Sequence, residues 1–311
     1  MANDSFMDDA ELVRKIQELK RERNAIILSH FYERPEVQDV ADHVGDSLEL
    51  SRIAAKNDAD VIVFCSVRFM AETAKILSPQ KTVLLPVAEA GCPLSDTITP
   101  DQLREAKARH PHAAVVAYVN CSAEIKSLSH YCCTSANALQ VVESVPETEI
   151  LFVPDRNLGR WVQKQTRKNI ILWEGCCPTH QNLKLKDVLD AKAQYPGAEV
   201  VVHPECPEDI CDVADAVMST AQMIRYCQAS PKKTFIIGTE MGLMHRLRKL
   251  MPEKTFIQAS KTLLCPNMKL TQLEDVYTAL KEMKHVIEVP EDIRVKALKS
   301  LDAMMSMIPS K

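Results

Sequence analysis

Three cysteines stand immediately before a proline at a regular interval. Cys92-Pro93, Cys177-Pro178 and Cys265-Pro266 are 85 and 88 residues apart. Thiolates are soft ligands that favour iron–sulfur clusters, zinc or copper. Four protein ligands close a metal site, whereas three leave a coordination position open for substrate. The chain has 11 cysteines, an odd number that cannot pair off completely. A reducing compartment argues against a disulfide framework, and the absence of any C-x-x-C argues against a zinc ribbon or a thioredoxin motif. Cys206-Pro207 is a fourth such dipeptide, out of the interval. Cys176 adjoins Cys177, and the interval selects Cys177. Cys65, ending an apolar run, and Cys227, in a helical stretch, read as core.

A second set of residues keeps the same period. His30, Tyr118 and His203 end apolar runs at spacings of 88 and 85. Two residues further on stand Tyr32, Asn120 and Glu205. His, Tyr and Glu are common proton carriers in acid–base catalysis. His180 follows Cys177 by three residues. That spacing alone would suit zinc, but no second such pair exists to complete a zinc site. A third landmark is a hydroxyl turn before an amphipathic stretch: Ser47 after Gly45-Asp46, then Thr134-Ser135, then Ser219-Thr220. Such residues cap helices or leave backbone N–H groups free to hold an anion. His43, His110, His112, His130, His245 and His285 lack these placements and read as structural or exposed. Lys269, behind Cys265 in CPNMK, is a cation suited to a phosphate.

Residues this far apart meet only if regular elements bring them together. The apolar runs are AIILSH (25–30), DVIVF (60–64), TVLLP (82–86), AAVVAY (113–118), EILFV (149–153), NIILW (169–173), EVVVH (199–203), TFIIG (234–238) and TFIQA (255–259). Each is short and rich in β-branched residues, as buried parallel strands are. Amphipathic segments such as SLELSRIAAKN and GLMHRLRKLM separate them. Strand–helix alternation predicts βαβ units. Nine strands in three groups predict three similar α/β/α domains with parallel sheets, over 1–110, 111–196 and 197–311. Around a pseudo-threefold axis, loops beyond the strand ends can meet, carrying the three cysteines. A C-terminal helical tail is expected against the first domain.

The 311 residues are 46% hydrophobic and 26% charged, which excludes a disordered chain. Lys plus Arg total 38 against 42 Asp plus Glu, so nothing in the charge points to nucleic acid. No apolar run approaches a membrane span. The acidic start lacks a signal-peptide pattern, so a cytoplasmic location is expected.

Together these motifs resemble the quinolinate synthase (NadA) family over nearly the whole chain. They are SHFYERPEVQDVADHVGDSLELS, YVNCSAEIKS followed by CCTSANA, EGCCPTH, VVHPEC, IIGTEMGLMHRLRK and CPNMK. The resemblance implies three α/β domains and a [4Fe–4S] cluster on Cys92, Cys177 and Cys265, with the fourth iron left for substrate. It implies condensation of iminoaspartate with dihydroxyacetone phosphate to quinolinate for NAD biosynthesis, releasing phosphate and two waters. Carried over, Tyr32, Tyr118, His203 and Glu205 would be catalytic. His30, Ser47, Asn120, Ser135, His180, Ser219 and Thr220 would join Tyr118, His203 and Glu205 in binding substrate. An L-aspartate oxidase or dehydrogenase would be the functional link that supplies iminoaspartate. Two departures are visible: Cys176 fills a slot that is usually aromatic, and Met218 stands where glycine is usual. Other readings are a hydro-lyase of the aconitase type and an electron-transfer protein. The latter usually needs four cysteine ligands and a small chain.

Overall fold

The β-branched runs form strands that pair with one another in parallel, which leaves both faces of each sheet for helices. In the computed structural model, which describes residues 7–307, twelve strands make three four-stranded sheets. The first holds β1 (Ala25–His30), β2 (His43–Gly45), β3 (Val61–Cys65) and β4 (Thr82–Leu84). The second holds β5 (Ala114–Tyr118), β6 (Tyr131–Cys133), β7 (Glu149–Val153) and β8 (Asn169–Leu172). The third holds β9 (Glu199–Val202), β10 (Ala216–Val217), β11 (Thr234–Gly238) and β12 (Thr255–Gln258). The orders are β2-β1-β3-β4, β6-β5-β7-β8 and β10-β9-β11-β12, one topology used three times. Helices flank each sheet, giving three similar α/β/α layers, as expected.

Each group holds one strand more than the nine apolar runs predict. β2, β6 and β10 are two or three residues long and partly exposed. Side-chain bonds anchor the chain just before each of them. Asp42 Oδ2 accepts the Ile27 N–H at 2.8 Å, His130 Nδ1 the Val115 N–H at 2.8 Å, and Asp215 Oδ2 the Val200 N–H at 2.8 Å. In return the backbone N–H groups of Asp42, His130 and Asp215 donate to the carbonyls of those same three strand residues. The three anchors hold one register position in the repeat.

The chain forms two compact units. One runs through Gly91 and takes in Pro266–Val289, and the other holds Cys92–Cys265 and the chain from Pro290 on. In the first unit, the helix Asp9–Glu22 starts on Asp8, whose side chain accepts the Glu11 N–H at 2.8 Å. It buries Leu12 and Ile16, one turn apart on one face, in a core with Ile27, Val61 and Val63. Leu273, Val276 and Leu280 of the helix Leu273–Glu282 close the same core. In the second unit, the last helix, Glu291–Ser306, packs on the helix Ala123–Leu128 and on β6. There Ser300 Oγ donates to the Lys126 carbonyl at 2.9 Å. The tail therefore divides, with only its first helix covering the first sheet. Among the described residues no helix is long and apolar enough to cross a membrane.

Candidate metal and substrate site

In each sheet the first and third strands in sequence are neighbours, and the chain leaves them in different directions. At such a switch point, beyond the carboxyl ends of the strands, ligands of open α/β sheets bind. The loop after the first strand is held alike in all three repeats. Gln38 Nε2 donates to the Glu33 carbonyl at 2.9 Å, Lys126 Nζ to that of Cys121, and Cys211 Sγ to that of Cys206 at 3.6 Å. All three are five-residue reaches from the following helix back to the loop that carries the polar pair.

In the second unit these pairs join into one network. Glu205, buried, takes His180 Nδ1 at 2.7 Å on Oε2, Asn120 Nδ2 at 3.5 Å on Oε1, and a hydrogen bond from Tyr118. The His180 and His203 rings stack with centroids 4.8 Å apart. His203 Nδ1 accepts the Glu205 N–H at 3.3 Å, which leaves the ring hydrogen on Nε2, 3.2 Å from Ser135 Oγ. His180 Nε2 meets Thr239 Oγ1 at 2.9 Å, and its Nδ1 lies 3.2 Å from Cys177 Sγ. Burial pushes the His203 imidazole down to about 3, against the pull of the Glu205 charge, so it stays neutral. Burial works against the Glu205 carboxylate too. The imidazoles of His180 and His203, with the bonds from His180 and Tyr118, outweigh burial and hold it near 2.

Ser219 caps the helix Thr220–Ala229 in a capping box with Gln222, whose side chain also donates to the Ala136 carbonyl at 3.2 Å. Thr220 is the first, buried residue of that helix. Ser135 lies three residues before the helix Ala138–Ser144 and does not cap it. In the first unit, Asp46 rather than Ser47 caps the helix Ser47–Lys56, its side chain accepting from Leu48 and Glu49. His30 and Tyr32 are buried there with their rings 4.5 Å apart, edge to face. The Tyr32 N–H donates to His30 Nδ1 at 3.1 Å, the same bond that Glu205 makes to His203. Lys269 donates through Nζ to the Tyr32 carbonyl.

Cys92, Cys177 and Cys265 all fall in the second unit, each half-buried. Burial pushes the Cys92 thiol up to about 12, helped by the charges of Cys265 and Glu205 and opposed by backbone N–H groups of Ser95 and Leu94. Burial, then Glu205 and Cys92, push Cys177 well above the ordinary thiol range. Cys92 therefore lies within electrostatic reach of both Cys177 and Cys265. Thiols so raised stay protonated alone, and a cation bound among them makes them thiolates. The soft donor set fits a thiophilic metal group. Cys177, His180 and Glu205 form a potential metal-binding group, with ligand atoms within 4.8 Å of one another.

Cys65, Cys206 and Cys227 are buried as packing. Three site residues escape the sequence reading: Thr239, which holds His180, and Asp155 and Glu240, buried behind the cysteine loops. Asp155 and Glu240 sit two residues beyond β7 and β11. The first repeat has Val67 there, so no threefold pattern marks them.

Three α/β/α layers of one topology, with thiols, imidazoles and a carboxylate in the loops of the second unit, define a class of three-repeat α/β proteins with a metal-capable site. Within that class the chain belongs to the quinolinate synthetase A protein family, whose model matches residues 14–306. It is 55% identical over 297 residues to the quinolinate synthase of Thermodesulfovibrio yellowstonii, covering 95% of this chain and 98% of the relative. It is 52% identical over 301 residues to quinolinate synthase 1 of Methanosarcina acetivorans, covering 97% and 99%. To the quinolinate synthase of Geotalea uraniireducens it is 54% identical over 297 residues, covering 96% and 98%.

Proposed function

We propose that the chain is a quinolinate synthase that condenses iminoaspartate with dihydroxyacetone phosphate for NAD biosynthesis, giving quinolinate, phosphate and two waters. Cys92, Cys177 and Cys265 would hold a [4Fe–4S] cluster. When bound, such a cluster supplies a Lewis-acidic iron with an open position and no net redox change. The observation that carries the reading is the buried carboxylate of Glu205, held by Tyr118, Asn120 and His180 beside the Cys177 thiol.

The reaction needs protons moved for imine formation, enolisation and two dehydrations. Glu205, ionised and aimed by its donors, is suited to accept a proton from carbon. Tyr32 and Tyr118 are suited to give or take a proton at oxygen. Neutral His203, its Nε2–H on Ser135, presents a donor that adds no charge. Ser47, Ser135, Ser219 and Thr220 lie at or before helix starts, where hydroxyl and N–H groups favour carboxylate and phosphate.

The test is anaerobic reconstitution with iron and sulfide, then quinolinate formation from the two substrates. Wild-type protein should turn brown and make quinolinate. Cys92→Ala, Cys177→Ala and Cys265→Ala should lose iron and activity together, while Cys176→Ala and Cys206→Ala keep both. Full iron and sulfide in Cys265→Ala would overturn the ligand assignment. A loaded wild type that makes no quinolinate would overturn the reaction.

A further inference from the structure

The loops that carry Cys177 and Cys265 are tied down by one device. Asp155, fully buried, accepts the Leu158 N–H on Oδ1 at 2.6 Å and the Cys177 N–H on Oδ2 at 3.0 Å. Glu240, fully buried, accepts the Gly242 N–H on Oε2 at 2.6 Å and the Cys265 N–H on Oε1 at 3.1 Å. Each carboxyl group thus bridges the chain just beyond its own strand to the backbone of a cysteine 22 or 25 residues later. A backbone bond accompanies each bridge. Arg156 N–H donates to the Gly175 carbonyl at 2.7 Å and Met241 N–H to that of Leu263 at 2.9 Å, both two residues before the cysteine. The first repeat keeps only that backbone bond, from Arg68 to Ala90 at 2.8 Å, with Val67 in the carboxyl position.

We infer that Asp155 and Glu240 are positioning residues for the metal-binding thiols. They fix the backbone of Cys177 and Cys265 so that both side chains are already aimed when the metal group arrives. This rests on the ligand assignment above. A carboxyl group accepts one N–H on each oxygen, so it can serve the cysteine and its own loop at once. An amide has one accepting oxygen and must choose, and alanine serves neither. Groups that orient metal ligands from behind change metal affinity about tenfold to a hundredfold when removed.

The experiment follows iron release to a chelator from anaerobically reconstituted full-length protein, with the melting temperature of the metal-free form recorded beside it. Asp155→Ala and Glu240→Ala should release iron about tenfold to a hundredfold faster than wild type. Asp155→Asn and Glu240→Gln should fall between. Val162→Ala is the control, because Val162 is buried in the helix that Asp155 starts, seven residues beyond the carboxyl group. It should lower the melting temperature with near-wild-type release. Equal release from the control and Asp155→Ala at matched melting temperature would reduce the role to folding and overturn the inference. If the alanine variants fail to fold, the amide variants decide alone, and wild-type release from both overturns it. Iron retained in Cys177→Ala and Cys265→Ala would instead sink the ligand assignment, a separate outcome.

Discussion

Single atoms decide most at Glu205 and Tyr32. Glu205→Gln keeps shape and volume but removes the charge that His180 and His203 surround. If it is a proton carrier, turnover should fall about 10²–10⁴-fold. Iron content should hold if the three thiols carry the metal, and iron lost with turnover would instead favour the Cys177–His180–Glu205 group. Tyr32→Phe removes one oxygen and keeps the ring packed on His30. Single-turnover quinolinate formation, with iron measured on the same samples, checks both. Wild-type turnover in both variants would remove the two residues from the proton transfers. Cysteine roles are also decided at this scale. Cys176 and Cys177 are neighbours of one type, yet only Cys177 has its N–H on Asp155 and its sulfur beside His180.

Elements hold these atoms through close approaches that tolerate no extra carbon. A Cβ on Gly175 would sit against the Thr97 hydroxyl and 2.5 Å from the Pro154 carbonyl oxygen. Gly175→Ala should therefore push the Cys177 loop away from β7 and lower iron occupancy more than overall fold, read by iron content against far-ultraviolet dichroism. On Gly238 a Cβ would meet Val202 Cγ1 at 2.7 Å. Gly238→Ala should cost ~1–3 kcal/mol in denaturant unfolding as an overpacked core. Much at this scale is legible in the chain. Nine strands announce themselves by β-branched runs, and cysteine before proline marks the loops that follow the fourth strand of each sheet. The short strands β2, β6 and β10 stay silent because two or three residues, partly exposed, form no apolar run. Asp155 and Glu240 stay silent for a different reason. A repeat search sees what recurs three times, and Val67 breaks the recurrence.

At the scale of the molecule, the chain does not follow its repeats to the end. After Cys265 it returns Leu273, Val276 and Leu280 to the core of the first sheet, far in sequence from the strands they cover. Leu280→Ala should therefore destabilise the first unit, by ~2–5 kcal/mol if the cavity persists. Hydrogen exchange should quicken in β1 and β3, and faster exchange confined to the second unit would contradict it. The repeat count and the order of elements can be read from spacing. Which sheet each tail helix covers cannot, because both helices are amphipathic and the period ends before them.

The three anchors before β2, β6 and β10 carry unequal chemistry. Asp42 and Asp215 accept their strand N–H on a carboxyl oxygen, whereas His130 accepts through a ring nitrogen that a proton would block. Burial, with Lys107 beside it, lowers the His130 pKa below the ordinary imidazole range, against the pull of Glu147. The unfolded chain then binds the proton more readily than the folded one. Stability from this contact is intact above about pH 6.5 and drains away as pH falls toward the lowered folded value. Mild acid should thus loosen the middle sheet at a point its sisters keep. Replacing His130→Asp should make urea midpoints at about pH 5 and about pH 7.5 converge. An unchanged gap between them would place the acid sensitivity elsewhere. One position in a threefold pattern thereby gives the middle sheet an acid sensitivity that the other two lack at that point.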